Sequence, residues 1–486
     1  MLILNIMKNI IIQLKRGLQI LILLSAIAAC NDKLDLKPQQ SIDAATALNS
    51  VENIRTTLVG AYLQARSASI FGSQFNEFSE LLAATSDLSF IGTYSQPREI
   101  IQKEIAITNS YVEGCWIEAY GLTNICNTLL DANTLAIIED PEERNLVEGE
   151  AKFLRGWVIF EITRLFGLPY QPGVENNQPG VPIVLTPTWD VADAVEVARS
   201  TVEECYDQAI ADLVSARNLL PEENGVYATK YAASAILARL YLQQGRFADA
   251  ATEADNVIGS GLFSLEDHPL KPFNITGTSP EVIFALENNI ASNTPWLAVM
   301  YASLNGMGRG DYDIQPGFLT KFDVSDLRGM LQIDTDPSYT IADINMMYYI
   351  GVGTILNNGG INTAKWGDYY ANIPLIRLAE MYLIRAEANF ENGGVLIGGN
   401  TPTEDINIIR ARSQAPVYTE DVTRDQIRNE RYLELCWEGH RLHDLKRWHS
   451  NIGSLQYDAG NLILPIPFRE MQVNSLLVQN PWYLGQ

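Results

Sequence analysis

Histidine and cysteine are scarce in this chain, four and five among 486 residues. A chemistry built on histidine clusters, or a fold held by a disulfide framework, has little to work with. Cations are also in short supply. Lys and Arg number 34 against 58 Asp and Glu, a formal charge of -24. Nucleic-acid binding, which needs cations to displace phosphate counterions, is excluded on that balance. Docking on anionic lipid through a polybasic face is disfavoured for the same reason. There is no Gly-rich phosphate loop and no nucleophile elbow. What is abundant is ordinary globular material: 47% hydrophobic residues, 19% charged, and 21 Tyr with 8 Trp. The length allows two to four domains or one large one.

The N-terminus has the layout of an export signal. Lys8, Lys15 and Arg16 precede an apolar run from Leu18 to Ala29 that only Gln19 and Ser25 interrupt. Gly17 to Ala29 would make about 20 Å of helix, short of the roughly 30 Å of a bilayer core. The run closes Leu24-Ser25-Ala26-Ile27-Ala28-Ala29-Cys30. Small residues leading into a Cys resemble a bacterial lipobox, which implies a lipidated Cys30 after removal of residues 1–29. Several acyl chains on one residue anchor stably where one would be marginal. Of the other cysteines, Cys115 and Cys126 share a helix face but lie about 16 Å apart along its axis. A disulfide spans about 6 Å. All four are expected to be small buried hydrophobes.

Residues 30–40 form a tether closed by Lys37-Pro38, and helical periodicity then dominates. Helices are expected over Ser50–Ser67 and Tyr111–Ile138. Another opens at Asp140-Pro141 and stops at Gly167 with Pro169. Ser200-Thr201-Val202-Glu203 predicts a capping box. Between Tyr227 and Ile258, the residues Leu237, Ala238, Tyr241, Gly245, Phe247 and Ala250 have tetratricopeptide spacing. Small residues let two helices approach and the rings fill between them. Pro374–Phe390 and Thr401–Ser413 predict a second pair. From 262 to 372 the periodicity fades, with one strand expected over Glu281–Leu286 and an extended stretch later at Leu462–Phe468. Long irregular stretches in a compact chain are usually functional.

The C-terminal third carries a resemblance. Leu378-Ala379-Glu380-Met381-Tyr382-Leu383-Ile384-Arg385-Ala386-Glu387-Ala388 is similar to the "R-x-A-E-x-x-L-x-x-A-E-A" helix of the SusD/RagB family. Ile406-Asn407-Ile408-Ile409-Arg410-Ala411-Arg412 resembles its "I-N-x-I-R-x-R". Glu430 to Arg441 resembles "E-R-x-x-E-L-x-x-E-G-x-R", and Asp444-Leu445-Lys446-Arg447-Trp448 continues it. Leu464-Pro465-Ile466-Pro467, Gln479-Asn480-Pro481, Ala151 to Gly156 and Phe166-Gly167-Leu168-Pro169 also fit. Gly156 departs from the pattern, which has Ala there. The match is loosest over residues 31–110 and 262–372.

The resemblance implies a mainly α fold: tetratricopeptide-like helical pairs, an irregular loop-rich ligand-binding side and a few short strands. It divides the chain into an N-terminal part, 41–260, and a C-terminal part, 261–486. It implies an outer-membrane lipoprotein facing the exterior and paired with a SusC-like, TonB-dependent β-barrel transporter. The ligand would be an oligosaccharide, or in some members a peptide, with no cofactor and no covalent chemistry. The competing readings are a glycoside hydrolase and a non-binding helical adaptor at the outer membrane. The family's ligand groups come from two regions. Here they hold Tyr94, Gln96 and Arg98, then Trp296, Tyr301, Asn305, Arg309 and Tyr312. Aromatic faces suit the apolar side of a sugar ring, and amides or Arg suit its hydroxyls.

Other constellations carry bland readings. Glu430, Glu434 and Glu438 share one helix face with Arg428, Arg431 and Arg441 beside them, which predicts an ion-paired lattice rather than a catalytic pair across a cleft. His440 and His443 sit amid Arg441, Lys446 and Arg447, a poor setting for a metal. Asp311 with Asp313, and Asp334 with Asp336, lack the remaining ligands of a calcium loop and are expected to be solvated. Cys30→Ser should abolish lipid labelling and release the protein from membranes. Unchanged fractionation and labelling of that variant would overturn the lipobox reading.

Overall fold

The structure is a computed structural model that describes residues 7–8, 48–288 and 296–485. Cys30 and the Thr294-Pro295 step before Trp296 lie outside the described residues. Residues Ser50–Gln486 form one compact unit. It begins with helices α1 (Val51–Ala65) and α2 (Gln74–Ala83), strand β1 (Leu88–Phe90), and helices α3 (Ser95–Gln102) and α4 (Ser110–Leu130). Ser50 caps α1, accepting from the Asn53 amide at 3.2 Å. The expected continuous helix to Ile138 is broken at Asp131. That residue is extended, and its carboxylate caps the short α5 (Ala132–Ala136) by accepting from Asn133 N. A capping Asp offers the backbone a better-satisfied alternative to continuing the helix.

Helix α6 (Pro141–Phe166) is the axis of the N-terminal part. Asp140 caps it and Pro141 opens it. From Gly149 to Phe166 almost every residue is buried, because α4, α7 (Val202–Leu219) and the irregular region surround it. Gly156 explains its departure from the family pattern. A Cβ there would lie 2.9 Å from Asp212 Cβ and 3.0 Å from the Ala209 carbonyl of α7. The two helices touch through that gap, and the neighbouring Arg155 locks them with a bidentate pair to Asp212 at 2.7 and 2.8 Å. The capping box of α7 is Thr201 with Glu204, one residue later than the sequence suggested.

Helices α8 (Lys230–Gln243) and α9 (Phe247–Ile258) form the tetratricopeptide-like pair, with Ala238, Ala250 and Ala254 fully buried between their neighbours. Strand β2 (Val282–Leu286), helix α10 (Trp296–Tyr301), strand β3 (Tyr312–Ile314) and helix α11 (Pro316–Leu319) follow. Strands β4 (Leu331–Gln332), β5 (Tyr348–Ile350) and β6 (Ile361–Thr363) make a small mixed sheet, β4 parallel to β5 and β5 antiparallel to β6. Strand β7 (Ile373–Arg377) pairs antiparallel with β2.

Helices α12 (Leu378–Glu391), α13 (Pro402–Arg412) and α14 (Arg424–Leu435) pack around Ala379, Leu383, Ile406, Ile409 and Ile427. Thr401 and Glu404 close a capping box on α13. Helices α15 (Arg441–Arg447) and α16 (Phe468–Val473) complete the chain. Between them the extended Ile463–Pro467, bounded by a 3-10 turn ending at Leu462 and by Phe468 of α16, runs buried, and Leu464 N donates to the Leu165 carbonyl at 2.8 Å. Cys115, Cys126, Cys205 and Cys436 are buried free thiols. Burial pushes the Cys126 thiol up to about 12, so it stays protonated and inert.

The glutamates of the α14 region form a buried lattice. Glu434 accepts from Arg412 at 2.6 Å and from Arg377 and Arg328 at 3.2 Å. Arg328 also meets Glu430 and Asp326, both at 2.7 Å. Arg377 also meets Glu281 at 2.5 Å and Glu438 at 2.7 Å, and Lys365 holds Glu438 at 2.6 Å. Burial alone would raise the Glu434 carboxyl, but Arg412, Arg377 and Arg328 hold it well below the usual carboxylate range. Removing one partner of a buried ion pair strands the other and costs about 3–5 kcal/mol. Glu434→Ala should therefore lose at least that much in chemical denaturation. A loss under about 1 kcal/mol would show that the lattice does not hold the fold.

Candidate functional site

A two-stranded ladder brings the two separated ligand regions of the sequence together. β1 pairs antiparallel with β3, Leu88 opposite Ile314 and Phe90 opposite Tyr312. The pairing continues outward as Ile91 N donates to the Asp311 carbonyl at 2.9 Å. On the other side, Arg309 N and Asp311 N donate to the Val299 and Met300 carbonyls of α10 at 2.7 and 2.8 Å. The segment after β1, the start of α10 and the segment before β3 thus meet at one place.

Tyr94, the N-cap of α3, and Trp296, the first residue of α10, stand with ring centroids 6.1 Å apart and planes tilted by 43°. Both are half-buried. The Arg309 guanidinium lies 4.4 Å over the Tyr94 ring. It is held there by Asp311, at 2.9 Å from Nε, and by the Thr93 hydroxyl, at 3.1 Å from Nη2. Asp311 is fully buried rather than solvated, because the ladder draws its loop inward and Arg309 neutralises it. Gly92 makes room for it: a Cβ there would come within 2.0 Å of the Asp311 carboxylate. Arg98 is exposed, donates to the Gly92 carbonyl and lies 5.5 Å from the Phe90 ring. Gln96 donates to the Ser110 hydroxyl at 3.0 Å.

Tyr301 and Tyr312 occupy a different place from the one the sequence suggested. Both are 1% exposed, with ring centroids 4.6 Å apart, and they form the packed floor under the Tyr94–Trp296 group. Tyr312 is drawn inward by the ladder and donates to Glu77 of α2 at 2.5 Å. Rings so enclosed are packing residues and present no face to solvent. Asn305 is exposed on a turn where it bonds to the Ser338 and Tyr339 carbonyls, at 3.5 and 3.0 Å, rather than to the aromatic group.

Sequence reasoning missed three contributors: Thr93, Tyr111 and Glu77. Tyr111, in the first turn of α4, is half-buried beside this cluster. Burial, and then the charge of Glu77, raise its phenol above the usual range, so it stays a neutral donor. A helix-opening Tyr close to the Tyr94 segment was the available signal. Glu77 accepts from Tyr312 and Ser73. The Trp296 indole N–H is buried and faces the Tyr111 phenol.

Two models of one family match the chain. "SusD-like_3: Starch-binding associating with outer membrane" matches residues 32–242, and "SusD_RagB: SusD family" matches residues 334–462. The chain belongs to the SusD/RagB family. It is similar to the SusD-like protein P2 of Formosa agariphila, 25% identical over 96% of this chain and 100% of that one. A SusD superfamily protein of Bacteroides thetaiotaomicron shares the fold with a TM-score of 0.76. It is 24% identical and covers 89% of this chain and 100% of its own. A protein of Bacteroides vulgatus described as a putative sugar binding protein superposes with a TM-score of 0.75. It is 26% identical over 90% of this chain and 100% of that one. Residues 243–333 fall outside both family models, and Trp296 and Arg309 come from them.

The pH dependence follows from Glu77. Burial pushes its carboxyl up to about 7 from 4.5, against the hydrogen bonds of Ser73 and Tyr312. A raised folded-state pKa makes its contribution complete below about pH 4.5 and lost as pH rises through about 7. Glu77→Gln removes the titration. Relative to the unaltered protein, the variant should gain on the order of 1–3 kcal/mol of unfolding free energy between pH 4.5 and 8. Parallel pH profiles would refute the assignment.

Proposed function

We propose that the protein is a cell-surface lipoprotein, anchored through Cys30, that captures oligosaccharide and delivers it to a SusC-like TonB-dependent barrel. The single observation that carries the capture step is the meeting of Tyr94, Trp296 and Arg309. Two half-buried rings at an angle, with a guanidinium fixed over one, offer apolar faces to sugar rings and donors to their hydroxyls. The family description names starch binding and outer-membrane association, and a relative with the same fold is described as sugar binding. Delivery to a barrel is what the family resemblance implies, and no helix among the described residues is long and apolar enough to cross a membrane.

The reading assigns no catalytic residue. Among the described acids, Glu77 is the one beside the aromatic group with a strongly raised pKa. It is 1% exposed, and its oxygens are engaged by Ser73 and Tyr312. A carboxyl so enclosed cannot reach a glycosidic oxygen, which supports binding over hydrolysis.

Trp296→Ala tests the proposal. A binding platform loses affinity when truncated, whereas a core ring costs about 3–5 kcal/mol of stability. The variant should bind oligosaccharide at least about tenfold more weakly, which is 1.4 kcal/mol. Its melting temperature should barely move. A large drop in melting temperature with normal affinity would return Trp296 to the core and leave the capture site unassigned.

A further inference from the structure

A cleft of ligand size lies elsewhere. About 440 Å³ opens between the α7–α8 connection, residues 222–229, the loop at 272–279 and the edge of β2. It shares no lining residue with the Tyr94–Trp296 group. Its volume is that of a ligand site rather than a packing defect.

The floor of the cleft is rigid. Phe284 of β2 is buried, with its ring 5.3 Å from Phe153 and 5.8 Å from Trp157 in the main core. Tyr227 stands on the wall, half-buried, its ring braced at 4.9 Å against Tyr62. Phe263, also half-buried, is braced edge-on against Tyr231 at 6.1 Å. Such fixed rings lose little entropy on binding. The rim, by contrast, carries hydrogen-bonding groups with nothing to bond. The Tyr227 hydroxyl and the exposed Glu223 and Thr278 side chains have no protein partner among the described residues.

We propose that this cleft is a second oligosaccharide-binding site and that it takes a neutral glycan. Aromatic walls with a rim of free carboxylate and hydroxyl groups match the apolar faces and donor hydroxyls of hexose rings. The charge chooses among glycans. Glu222, Glu223 and Glu287 all line the cleft. Two cations stand beside these three carboxylates, Lys230, which holds Glu222 at 2.5 Å, and Arg66, which donates to the Glu287 main-chain carbonyl at 2.9 Å, so the excess charge is negative. A uronate or sulfate would meet like charge there, and like-charge juxtaposition works against binding. The inference rests on the oligosaccharide reading given above but on none of its residues.

Hydrogen exchange of the full-length protein, with maltoheptaose, laminarihexaose and oligogalacturonate as probes, separates the two sites. At least one neutral probe should protect residues 222–229 and 272–279, and oligogalacturonate should not. Gly277→Trp fills the cleft. Gly277 lines the cleft and a Cβ there meets nothing within 4 Å, so the backbone leaves room for a side chain to start. It should abolish that protection and leave protection of residues 91–98 intact, whereas Tyr94→Ala should do the reverse. Protection confined to 91–98 overturns the second site and leaves the proposed function standing. So does protection of 222–229 that survives Gly277→Trp, or that only oligogalacturonate produces. Protection at neither region overturns both proposals.

Discussion

A dry lattice of charge holds this molecule together. Glu281, Glu430 and Glu434 are buried, the Glu438 side chain is largely covered, and each is met by Arg328, Arg377, Arg410, Arg412 or Lys365. Taking such charges out of water costs several kcal/mol per ion unless the geometry is close and the remaining hydrogen bonds are made. Here one carboxylate serves up to three guanidiniums, so ordering a side chain once satisfies several pairs. The lattice is also directional. Its acids come mainly from α14 and the turn after it, and its cations come from the irregular region, β7 and α13. No apolar surface would fix the register of so irregular a segment as narrowly, because hydrophobic contact is non-directional.

The candidate site depends on that anchoring. The irregular region must be held fast at one end for the β1–β3 ladder to set Arg309 over Tyr94 at the other. Tyr312 links the ladder to α2 through Glu77, and Asp311 fixes Arg309 from within. The result is a rigid shelf whose exposed parts are few. Tyr94, Trp296, Arg98 and Arg309 reach solvent in whole or part, and the tyrosines beneath them do not. Pre-positioning of this kind matters for a sugar ligand, whose binding offers modest surface and cannot afford much ordering of the protein.

The helical framework was legible in the sequence because its signals are local. Asp140-Pro141, Thr401-Pro402-Thr403-Glu404 and the Ala238–Ala250 spacing each act within a few residues, through caps, first-turn proline and close helix approach. The family likeness lies in the same places, since the lattice needs particular acids and arginines at helical spacing. Glu430, Glu434 and Glu438 could thus be read as paired, but their cations are Arg328, Arg377, Arg410, Arg412 and Lys365 rather than Arg428, Arg431 and Arg441 beside them.

The site was legible only in part. The family resemblance pointed to two regions, residue types within them brought Tyr94, Arg98, Trp296 and Arg309 forward, and the fold set Tyr94, Trp296 and Arg309 in contact. The same reasoning placed Tyr301 and Tyr312 with them, but depth is a property of the tertiary structure. Three-residue strands pairing across more than two hundred positions leave no periodic trace, and it was their pairing that turned Tyr312 inward and buried Asp311. The sequence by itself determined most of the helices and caps and that Glu430, Glu434 and Glu438 had to pair. Only the tertiary structure decided which aromatic rings face water, because that depends on contacts between segments whose local sequences carry no record of each other.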